Sequence, residues 1–442
     1  MNEVRNIIVG FDFGEKVSQL CYYDRREGEP VSLAMKVGTG QYTFPNCLSK
    51  KPGEEEWHFG LEVEYFVNQQ DEIYLDHLFE LCSSRKTIAI DGQEREMGEL
   101  LGIFVGGALR ILGVPDPVKS ISGLMITAPH ITRCMVENVR KACEVMGFSR
   151  KRCFLQDYEE SFYYHTMCQK ADIWSRNVAL FTFDQDGVAY ARLEMDKKTK
   201  PVQVRVIKGK RITLPQDPVE RDFEFYELVQ ESLGNDVFSS IFLVGDGFDR
   251  EWAVRSVPLL CRHQRHVFYG NNLFAKGACY GAKEKVEERN LKGYLYAGSD
   301  LVRMNVGMEM LVYGSPAYHS LISAGVNWYE AEGGCELLLD DTRELTFVVS
   351  NMENTKKERY SMALPGLPER PAKATRLRLH LEFESASQCN IEVEDLGFGE
   401  LYPSSGLVWH ETMNEQRRAE VMIPIQLLDL QSVWNRSQPI LR

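Results

Sequence analysis

Residues Asn6–Asp24, NIIVGFDFGEKVSQLCYYD, decide the fold. An apolar β run ends in Gly-Phe-Asp-Phe-Gly, and a second β run from Gln19 to Tyr23 returns after a few polar residues. Two glycines around Asp12 indicate a tight loop between strands, because glycine adopts backbone conformations that other residues resist. Such a loop can direct backbone N–H groups at a phosphate and place the aspartate beside a metal ion or a water. A buried strand that merely ends in a glycine turn is the alternative interpretation.

The composition is that of a soluble protein with two or three domains, since 442 residues are 44% hydrophobic and 26% charged. A net charge of −13 disfavours nucleic acid and anionic membranes, both of which require basic surface. The apolar helix predicted at Met97–Gly113 contains charged residues and is too short to span a bilayer. We therefore expect neither a nucleic acid nor a membrane partner.

The amino terminus and the cysteines both favour a cytoplasmic location. The chain reaches Glu3 before any apolar run, so we expect no signal peptide. Eleven cysteines stand singly, without a CxxC pair or zinc-ligand spacing. They are expected to be reduced and mostly buried thiols.

Helix and strand patterns alternate up to about residue 300. The clearest helix is Thr132–Met146, whose apolar residues recur on one face and which Gly147 ends. Helices are also predicted at Tyr74–Cys82 and at Arg95–Gly113. Beyond Asp300 the pattern is that of strands and turns, which predicts an all-β sandwich domain.

The predicted domains are thus 1–300, 301–410 and a tail, 411–442. Within the β domain, Leu377, Leu379 and Leu381 alternate with polar residues, as a half-buried strand requires. The tail contains an apolar segment, Val421–Leu428, that is compatible with either a strand or a helix.

The order of the motifs resembles the actin-like ATPase superfamily, and specifically the DnaK-type heat-shock chaperones. In that family two lobes of ribonuclease H-like fold hold a nucleotide between them through five segments. The first phosphate loop of the family, G-I-D-L-G-T-T-N-S, is similar to Gly10–Ser18. The family's T-V-P-A resembles Ile126–Pro129, and its N-E-P-T-A-A-A resembles Gln156–Phe162. This chain would be a version of that fold reduced in size, because the span 187–241 lacks the subdomain that covers the adenine.

The remaining segments follow in the same order. The second phosphate loop, F-D-L-G-G-G-T, is similar to Phe183–Gly187, with a second register that puts Thr182 in place of the aspartate. The adenosine loop, V-G-G-S, resembles Val244–Gly247, and the last connecting helix, R-G-A-A, resembles Lys276–Cys279. The motif Leu364–Pro368 is similar to a part of the chaperones' β domain, which clamps an extended peptide.

The resemblance implies a set of site residues. Its metal, water and catalytic ligands fall on Asp12, Asp157 and Asp184, with Asp12 and Asp184 as the metal ligands. The residues that would contact the nucleotide are Gly10, Gly14, Lys16, Ser18, Gly187, Gly245, Gly247 and Gly277. The implied cofactor is ATP or ADP with Mg²⁺, and a chain without a cofactor is the alternative.

Departures from the family pattern change the expected chemistry. Glu15 and Lys16 stand where the first loop has threonines, Val17 stands where it has asparagine, and Asp186 stands where the second loop has glycine. Two unit charges ~4 Å apart repel by roughly 4 kcal/mol at an effective dielectric constant of about 20. A bound Mg²⁺ would reverse that effect. Tyr158 replaces the proline of N-E-P, which in the family relays the nucleotide state.

We therefore expect a DnaK-like pseudo-ATPase scaffold or chaperone-like module that binds a protein or peptide through its β domain. A divergent working ATP-dependent chaperone with weak Mg-ATP hydrolysis is the alternative. A sugar-kinase-like or filament-forming relative is a further interpretation, although no general base stands out for a kinase. The sequence leaves the oligomeric state open.

Overall fold

The structure, a computed structural model, divides the chain into two compact units, Met1–Gly298 and Ser299–Arg442, which we describe separately. It describes residues 6–35, 39–66, 72–312, 314–352 and 354–414, apart from the side chains of Glu64 and Phe66. The apolar segment predicted at Val421–Leu428 lies outside the described residues. The division between the units lies beside the boundary expected after residue 300.

The first half of unit 1 begins with strands and ends with two long helices. Its elements are β1 (Ile7–Phe13), β2 (Val17–Asp24), β3 (Glu29–Ser32), β4 (Thr43–Pro45), β5 (Leu48–Lys50), β6 (His58–Phe59), α1 (Val63–Phe66), β7 (Ile73–Leu75), α2 (Leu78–Ser84), β8 (Thr87–Ile90), β9 (Gln93–Glu96), α3 (Met97–Arg110), α4 (Pro117–Ser120), β10 (Ile121–Ala128), α5 (Arg133–Met146), β11 (Cys153–Asp157) and α6 (Tyr158–Met167).

The second half of unit 1 starts with another strand meander. Its elements are β12 (Asn177–Phe183), β13 (Gly187–Asp196), β14 (Val202–Thr213), α7 (Pro218–Leu233), β15 (Phe238–Val244), α8 (Ser256–Leu260), β16 (His266–Tyr269), α9 (Leu273–Val286) and β17 (Tyr294–Tyr296).

Two sheets of unit 1 share one arrangement of strands. The first has the order β11-β10-β1-β2-β3, and the second has the order β16-β15-β12-β13-β14 with β17 added at its edge. In each, three consecutive strands form an antiparallel meander, and the first of them pairs in parallel with a later strand, β10 in the first sheet and β15 in the second. The smaller sheets are β6-β5-β7 and β8-β9.

The helices α6 and α9 are exchanged between these two sheets. Helix α6 follows the first sheet in the chain, yet Phe162 packs among Val178 and Phe242 of the second. Helix α9 follows the second sheet, yet Ala278 packs with Ile8 and other residues of the first. The exchange places the chain segments after β1, β11, β12 and β15 close to the two helices.

The two exchanged helices pack against each other through small residues. A Cβ atom on Gly277 would lie 2.0 Å from the carbonyl oxygen of Ser161. A Cβ atom on Gly281 would lie 3.1 Å from Cδ2 of Tyr164 on α6, and 2.3 Å from Oε1 of Gln156 near the end of β11. The small-residue pattern of α9 therefore reflects close helix contact, which was one of the two interpretations that the pattern allowed.

The opposite faces of the sheets bury large apolar side chains. Phe11 packs edge-on against Phe104 of α3, with ring centroids 6.2 Å apart. On the second sheet Phe181 packs against Phe225 of α7, with centroids 5.4 Å apart. Each of the two large sheets of unit 1 is therefore covered by helices on both faces.

Two predicted helices have different bounds in the structure. A hairpin of β8 and β9 precedes α3, so that the helix begins at Met97 and not at Arg95. Asp91 and Gly92 both have positive φ, as a two-residue hairpin turn of this kind requires. Residues 73–75 form strand β7, and α2 begins only at Leu78. The helix predicted after Thr132 is confirmed, with Thr132 as its N-cap and Gly147 in the left-handed region after it.

Two cysteines correct the expectation that all eleven are reduced. Cys143 near the end of α5 and Cys153 at the start of β11 form a disulfide across a Cα–Cα distance of 6.6 Å. The pair is brought together by the turn after α5, so that no short cysteine spacing reveals it. The other nine cysteines are not in a disulfide.

Unit 2 consists of strands in two antiparallel sheets. Its strands are β18 (Met304–Val312), β19 (Ser315–Ile322), β20 (Glu332–Leu339), β21 (Glu344–Asn351), β22 (Lys357–Ala363), β23 (Thr375–Ser385), β24 (Gln388–Gly397) and β25 (Val408–Asn414). The sheet orders are β19-β18-β21-β22 and β20-β23-β24-β25. Leu377, Leu379 and Leu381 are buried and their neighbours are exposed, so the predicted alternation is confirmed.

A buried ion pair holds the end of β24. Both guanidinium nitrogens of Arg370 donate to the Asp395 carboxylate at 2.8 Å. Ser405 and Gly397 donate further hydrogen bonds to the same carboxylate. Burial by itself raises the pKa of Asp395, but these donors, led by Arg370, hold it well below the usual range. The carboxylate thus fixes the loop that joins β24 and β25.

Among the described residues, no helix is both long enough and apolar enough to cross a membrane.

The contact between α6 and α9 gives a first prediction. Gly277→Ala places a methyl group against the Ser161 carbonyl, and overpacking of this kind costs about 3 kcal/mol of unfolding free energy. Gly293→Ala is the control, because a Cβ atom there meets nothing within 4 Å. Chemical denaturation followed by circular dichroism measures both variants. Equal unfolding free energies of Gly277→Ala and Gly293→Ala would contradict the prediction, because they would show that α6 and α9 can move apart at no cost in stability.

Candidate functional site

Asp12 lies at the end of β1 on the sheet face that α9 covers. Alternation along the strand sends Phe11 and Phe13 to the opposite face and keeps Asp12 on the face of Gly10. The carboxylate is only 5% exposed. Its Oδ1 accepts a hydrogen bond of 2.7 Å from the Tyr158 hydroxyl. Burial raises the pKa of Asp12 to about 7, although this hydrogen bond acts in the opposite direction.

Tyr158 is the first residue of α6 and is held on its other side. Its ring is stacked on Phe274 of α9, with centroids 3.8 Å apart and planes at 6°. Burial, followed by the nearby Asp12, raises the Tyr158 pKa well above its ordinary value of 10. The phenol is therefore a neutral donor that covers the Asp12 carboxylate.

Asp157, the third predicted carboxylate ligand, acts as the N-cap of α6. Its Oδ1 accepts a hydrogen bond of 2.7 Å from the Glu160 backbone N–H. Its carbonyl oxygen accepts a hydrogen bond of 3.2 Å from the Thr127 hydroxyl. Asp157 thus lies directly before Tyr158 in the chain and fixes the start of the helix that carries it.

The glycines of the first loop allow close packing of the chain. A Cβ atom on Gly10 would lie 2.2 Å from the Ala275 carbonyl oxygen and 2.4 Å from the Cys279 nitrogen. A Cβ atom on Gly14 would lie 2.7 Å from the Val17 carbonyl oxygen. Gly10 therefore lets α9 approach β1, and Gly14 lets the loop turn back on itself.

Ser18 and Lys16 contribute to the same loop through Asn46. The Ser18 hydroxyl is fully buried and donates a hydrogen bond of 2.6 Å to Oδ1 of Asn46. Asn46 in turn donates its side-chain amide to the Gly14 carbonyl oxygen at 2.6 Å. The Asn46 backbone N–H donates to the carbonyl oxygen of Lys16, whose side chain is exposed. Ser18 thus stabilises the loop from inside.

Asp184 begins the second loop and is occupied by protein donors. Its Oδ1 accepts hydrogen bonds from the backbone N–H groups of Asp186 and Gly187 at 2.9 and 2.8 Å. Its Oδ2 pairs with Arg211 of β14 at 2.5 Å. Partial burial raises the Asp184 pKa, but Arg211 and the backbone donors outweigh it and lower the pKa below its usual value. A Cβ atom on Gly187 would lie 2.3 Å from the Ile212 carbonyl oxygen.

The loop after β15 packs directly on the second loop. A Cβ atom on Gly245, which has a φ of +110°, would lie 1.8 Å from the Phe183 carbonyl oxygen. A Cβ atom on Gly247 would lie 2.2 Å from the Asp184 carbonyl oxygen. The two glycines therefore allow two loops of the second sheet to touch.

Asn271, just before α9, joins that loop to the first sheet. Its side chain accepts a hydrogen bond of 3.0 Å from the Gly245 N–H and donates one of 2.5 Å to the Asp246 carboxylate. Its carbonyl oxygen accepts from the Gln19 side chain of β2 at 3.0 Å. This residue is absent from the predicted site, although two adjacent asparagines before a small-residue helix were a visible signal.

Two loops, Gly10–Ser18 and Phe183–Gly187, resemble phosphate-binding loops, and we call them the phosphate-like loops. Their charges are mainly negative. Asp12, Glu15, Asp184 and Asp186 contribute carboxyl groups, and Arg211 is held by Asp184. Glu15 also raises the pKa of both Tyr158 and Arg211, which shows that it lies near each of them. Across the described ranges, no three His, Cys, Asp or Glu side chains are grouped so that they could hold a metal ion.

The arrangement fits Mg-triphosphate poorly. Asp12 would have to lose a proton and its tyrosine partner to become a ligand, and Asp184 would have to leave Arg211. The expected carboxylates Asp12 and Asp157 lie at the ends of β1 and β11, which flank β10 in the first sheet, whereas Asp184 pairs with Arg211 of β14. The sequence showed that Tyr158 replaces the proline of N-E-P, but it gave no signal for Arg211, which follows Asp184 by 27 positions.

Comparison with protein-family models places this geometry in a family. The C-terminal part of a family of unknown function, DUF5716, matches residues 29–299, which is more than half of the chain. The chain belongs to the DUF5716 family. A domain of unknown function, DUF8552, matches residues 301–414. No curated protein matches the chain. The two family matches meet where the two compact units meet.

The buried carboxyl gives a prediction about pH. The folded-state pKa of Asp12 lies above the ordinary value of 3.8, so its contribution to stability is lost as the pH rises from about 4 to about 7. Asp12→Asn keeps an acceptor for Tyr158 and removes the charge. It should raise the unfolding temperature at pH 8 and change it little at pH 4. The gain in unfolding free energy at pH 8 has an upper limit on the order of 4 kcal/mol.

Asp184→Asn is the control with the opposite sign. The Asp184 pKa is lowered in the fold, so its stabilisation is present above the ordinary pKa and is lost as the pH falls. This variant should be less stable than the parent at pH 8 and similar to it at pH 3. Thermal scans from pH 3 to pH 8 measure both variants. An Asp12→Asn variant that is destabilised equally at every pH would contradict the assignment.

Proposed function

We propose that this protein is a non-hydrolysing relative of the actin-like ATPases of DnaK type, whose two-lobed unit is a scaffold and whose β unit binds a protein partner. The duplicated sheets and the exchanged helices α6 and α9 support the two-lobed fold. The motifs that carry the resemblance lie at the strand ends and on the helices that such a fold would use.

The contact between Tyr158 and Asp12 carries the proposal. A carboxyl group that would hold a metal ion or its water is instead buried, hydrogen-bonded to a phenol and half protonated near neutral pH. The phenol is fixed by its stack on Phe274. Binding of Mg-ATP would require ionisation of the carboxyl and displacement of the ring, and both changes cost free energy.

The second loop supports the same conclusion. Phosphate loops bind through free N–H groups and a low negative charge. Here the N–H groups of Asp186 and Gly187 donate to Asp184, so the loop uses them internally. The guanidinium of Arg211 pairs with Asp184 and already neutralises it.

The proposal predicts that nucleotide does not stabilise the fold. Thermal unfolding with millimolar Mg-ATP, Mg-ADP, or ATP with EDTA should give the same temperature as the protein alone. A ligand at about a hundred times its dissociation constant would stabilise by ~2.7 kcal/mol, which is a readily measured shift. A shift that EDTA abolishes and that Asp12→Asn removes would overturn the scaffold proposal in favour of a working ATPase.

The β unit offers an edge strand for an extended partner. Strand β19 lies at the edge of its sheet in the described residues and is exposed over most of its length. Tyr318 on this strand is 51% exposed, and Leu311 on the neighbouring strand is 58% exposed. Unpaired edge groups beside apolar side chains suit the addition of a peptide strand.

A fluorescein-labelled apolar heptapeptide tests this part of the proposal. Its anisotropy should rise with the full chain, and Tyr318→Ser should weaken binding about tenfold through loss of aromatic contact. Tyr65→Ser, at an exposed tyrosine of unit 1, is the matched control and should bind normally. Equal affinity in both variants, or no rise with the parent protein, would contradict peptide binding at β19.

A further inference from the structure

Unit 1 contains a cavity of about 380 Å³ that is separate from the phosphate-like loops. Its walls are the ends of β15 and β16, the last turn of α6, the first turns of α9 and the start of β3. The carboxylates and glycines of the candidate site do not line it, but Val244 and Lys276, the first residues of the segments that resemble the adenosine loop and the last connecting helix, do. A volume in this range accommodates a small molecule.

One wall of the cavity consists of aromatic rings. Phe242 and Phe268 are stacked, with centroids 5.0 Å apart and planes at 18°. The His165 ring lies 5.5 Å from Phe242 and 6.3 Å from Tyr280. Phe268 is 39% exposed, and its other ring neighbour is His266, with centroids 6.3 Å apart and planes at 20°. This wall suits a flat ring system, since aromatic rings prefer offset-stacked and edge-on neighbours.

The polar groups of the cavity include one cation without a counterion. Lys276 is half-buried on α9, and its ammonium group has no hydrogen bond or ion pair to any described residue. A partly desolvated charge without a partner is unfavourable. By contrast, the amides of Gln169 and Asn272 are occupied, by the His165 carbonyl oxygen and by the Ser32 hydroxyl.

His165 adds a neutral polar edge. Its Nδ1 is shielded from solvent and has no hydrogen-bond partner among the described residues. Burial, and after it the nearby Lys276, lowers the pKa of His165 to about 3. The imidazole is therefore uncharged at neutral pH, which leaves Lys276 as the cation of the described lining.

We propose that this cavity binds a planar aromatic molecule that carries one anionic group, a carboxylate or a monophosphate. The ring system lies against Phe242 and Phe268, and the anion pairs with Lys276. The exposed side chain of Glu29 also lines the cavity, and its carboxylate opposes the additional anionic groups of a diphosphate or triphosphate. A nucleoside triphosphate is therefore a poor ligand for this cavity.

Isothermal titration of the full chain with two pairs of probes tests the proposal. 2-Naphthoate is compared with neutral 2-naphthamide, and AMP is compared with neutral adenosine. At least one acid should bind with a dissociation constant below 1 mM and about tenfold or more tighter than its neutral counterpart, because a charged hydrogen bond is lost in the latter. Naphthoate alone would indicate an aromatic acid, and AMP alone would indicate a nucleotide.

Variants at the cavity locate the binding. Lys276→Gln should weaken the binding of the acid about tenfold and leave the affinity for the neutral probe unchanged. Lys276→Arg should keep the affinity for the acid. Phe268→Ala should weaken both members of a pair. Lys285→Gln, on the same helix but outside the cavity lining, is the control and should bind as the parent does. Circular dichroism verifies that each variant is folded.

Several outcomes would overturn the proposal. They are the absence of binding of both acids, equal affinity for an acid and its neutral counterpart, and unchanged acid affinity in Lys276→Gln. None of them bears on the phosphate-like loops, because the cavity does not include Asp12 or Tyr158.

Discussion

The close packing of α6 on α9 is the constraint on which unit 1 depends. Each helix covers the sheet of the other half, so the two halves cannot separate without exposing both cores. At the contact, Gly277 leaves no room for a side chain above Ser161. Ser161 is in turn bonded to Thr127 and Gln156 at 2.6 and 2.7 Å. A buried network of hydroxyl and amide groups thus fixes the helix contact to the ends of β10 and β11.

This helix contact also determines the candidate site. Tyr158 and Phe274 are the first residue of α6 and the second of α9, and their stack is the end of the interface between the helices. Once the stack is formed, the Tyr158 hydroxyl reaches Asp12 on β1 of the first sheet. The state of the carboxyl is therefore coupled to helix packing, and a ligand that ionises Asp12 must also compete with the aromatic stack.

Local patterns predicted much of the fold, because the signals of a helix or a strand lie within a few residues of one another. The N-cap Thr132 and the C-terminal Gly147 are examples. The site was harder to predict because its contacts join distant parts of the chain: Tyr158 reaches Asp12 across 146 positions. The hairpin at Asp91 had a local turn signal, but the apolar residues after it masked the signal in a longer helical pattern.

The glycines show why a motif and its chemistry separate in this chain. Gly10, Gly245 and Gly277 occur where a nucleotide-binding protein would have them, yet each faces a backbone atom of a neighbouring segment at a distance that excludes a side chain. Packing alone is sufficient to require these glycines. Their presence is therefore explained by backbone contacts without a bound phosphate. The chemistry of the loops depends on their carboxyl groups. Four carboxyl groups with only one paired arginine disfavour the binding of a polyanion such as a triphosphate.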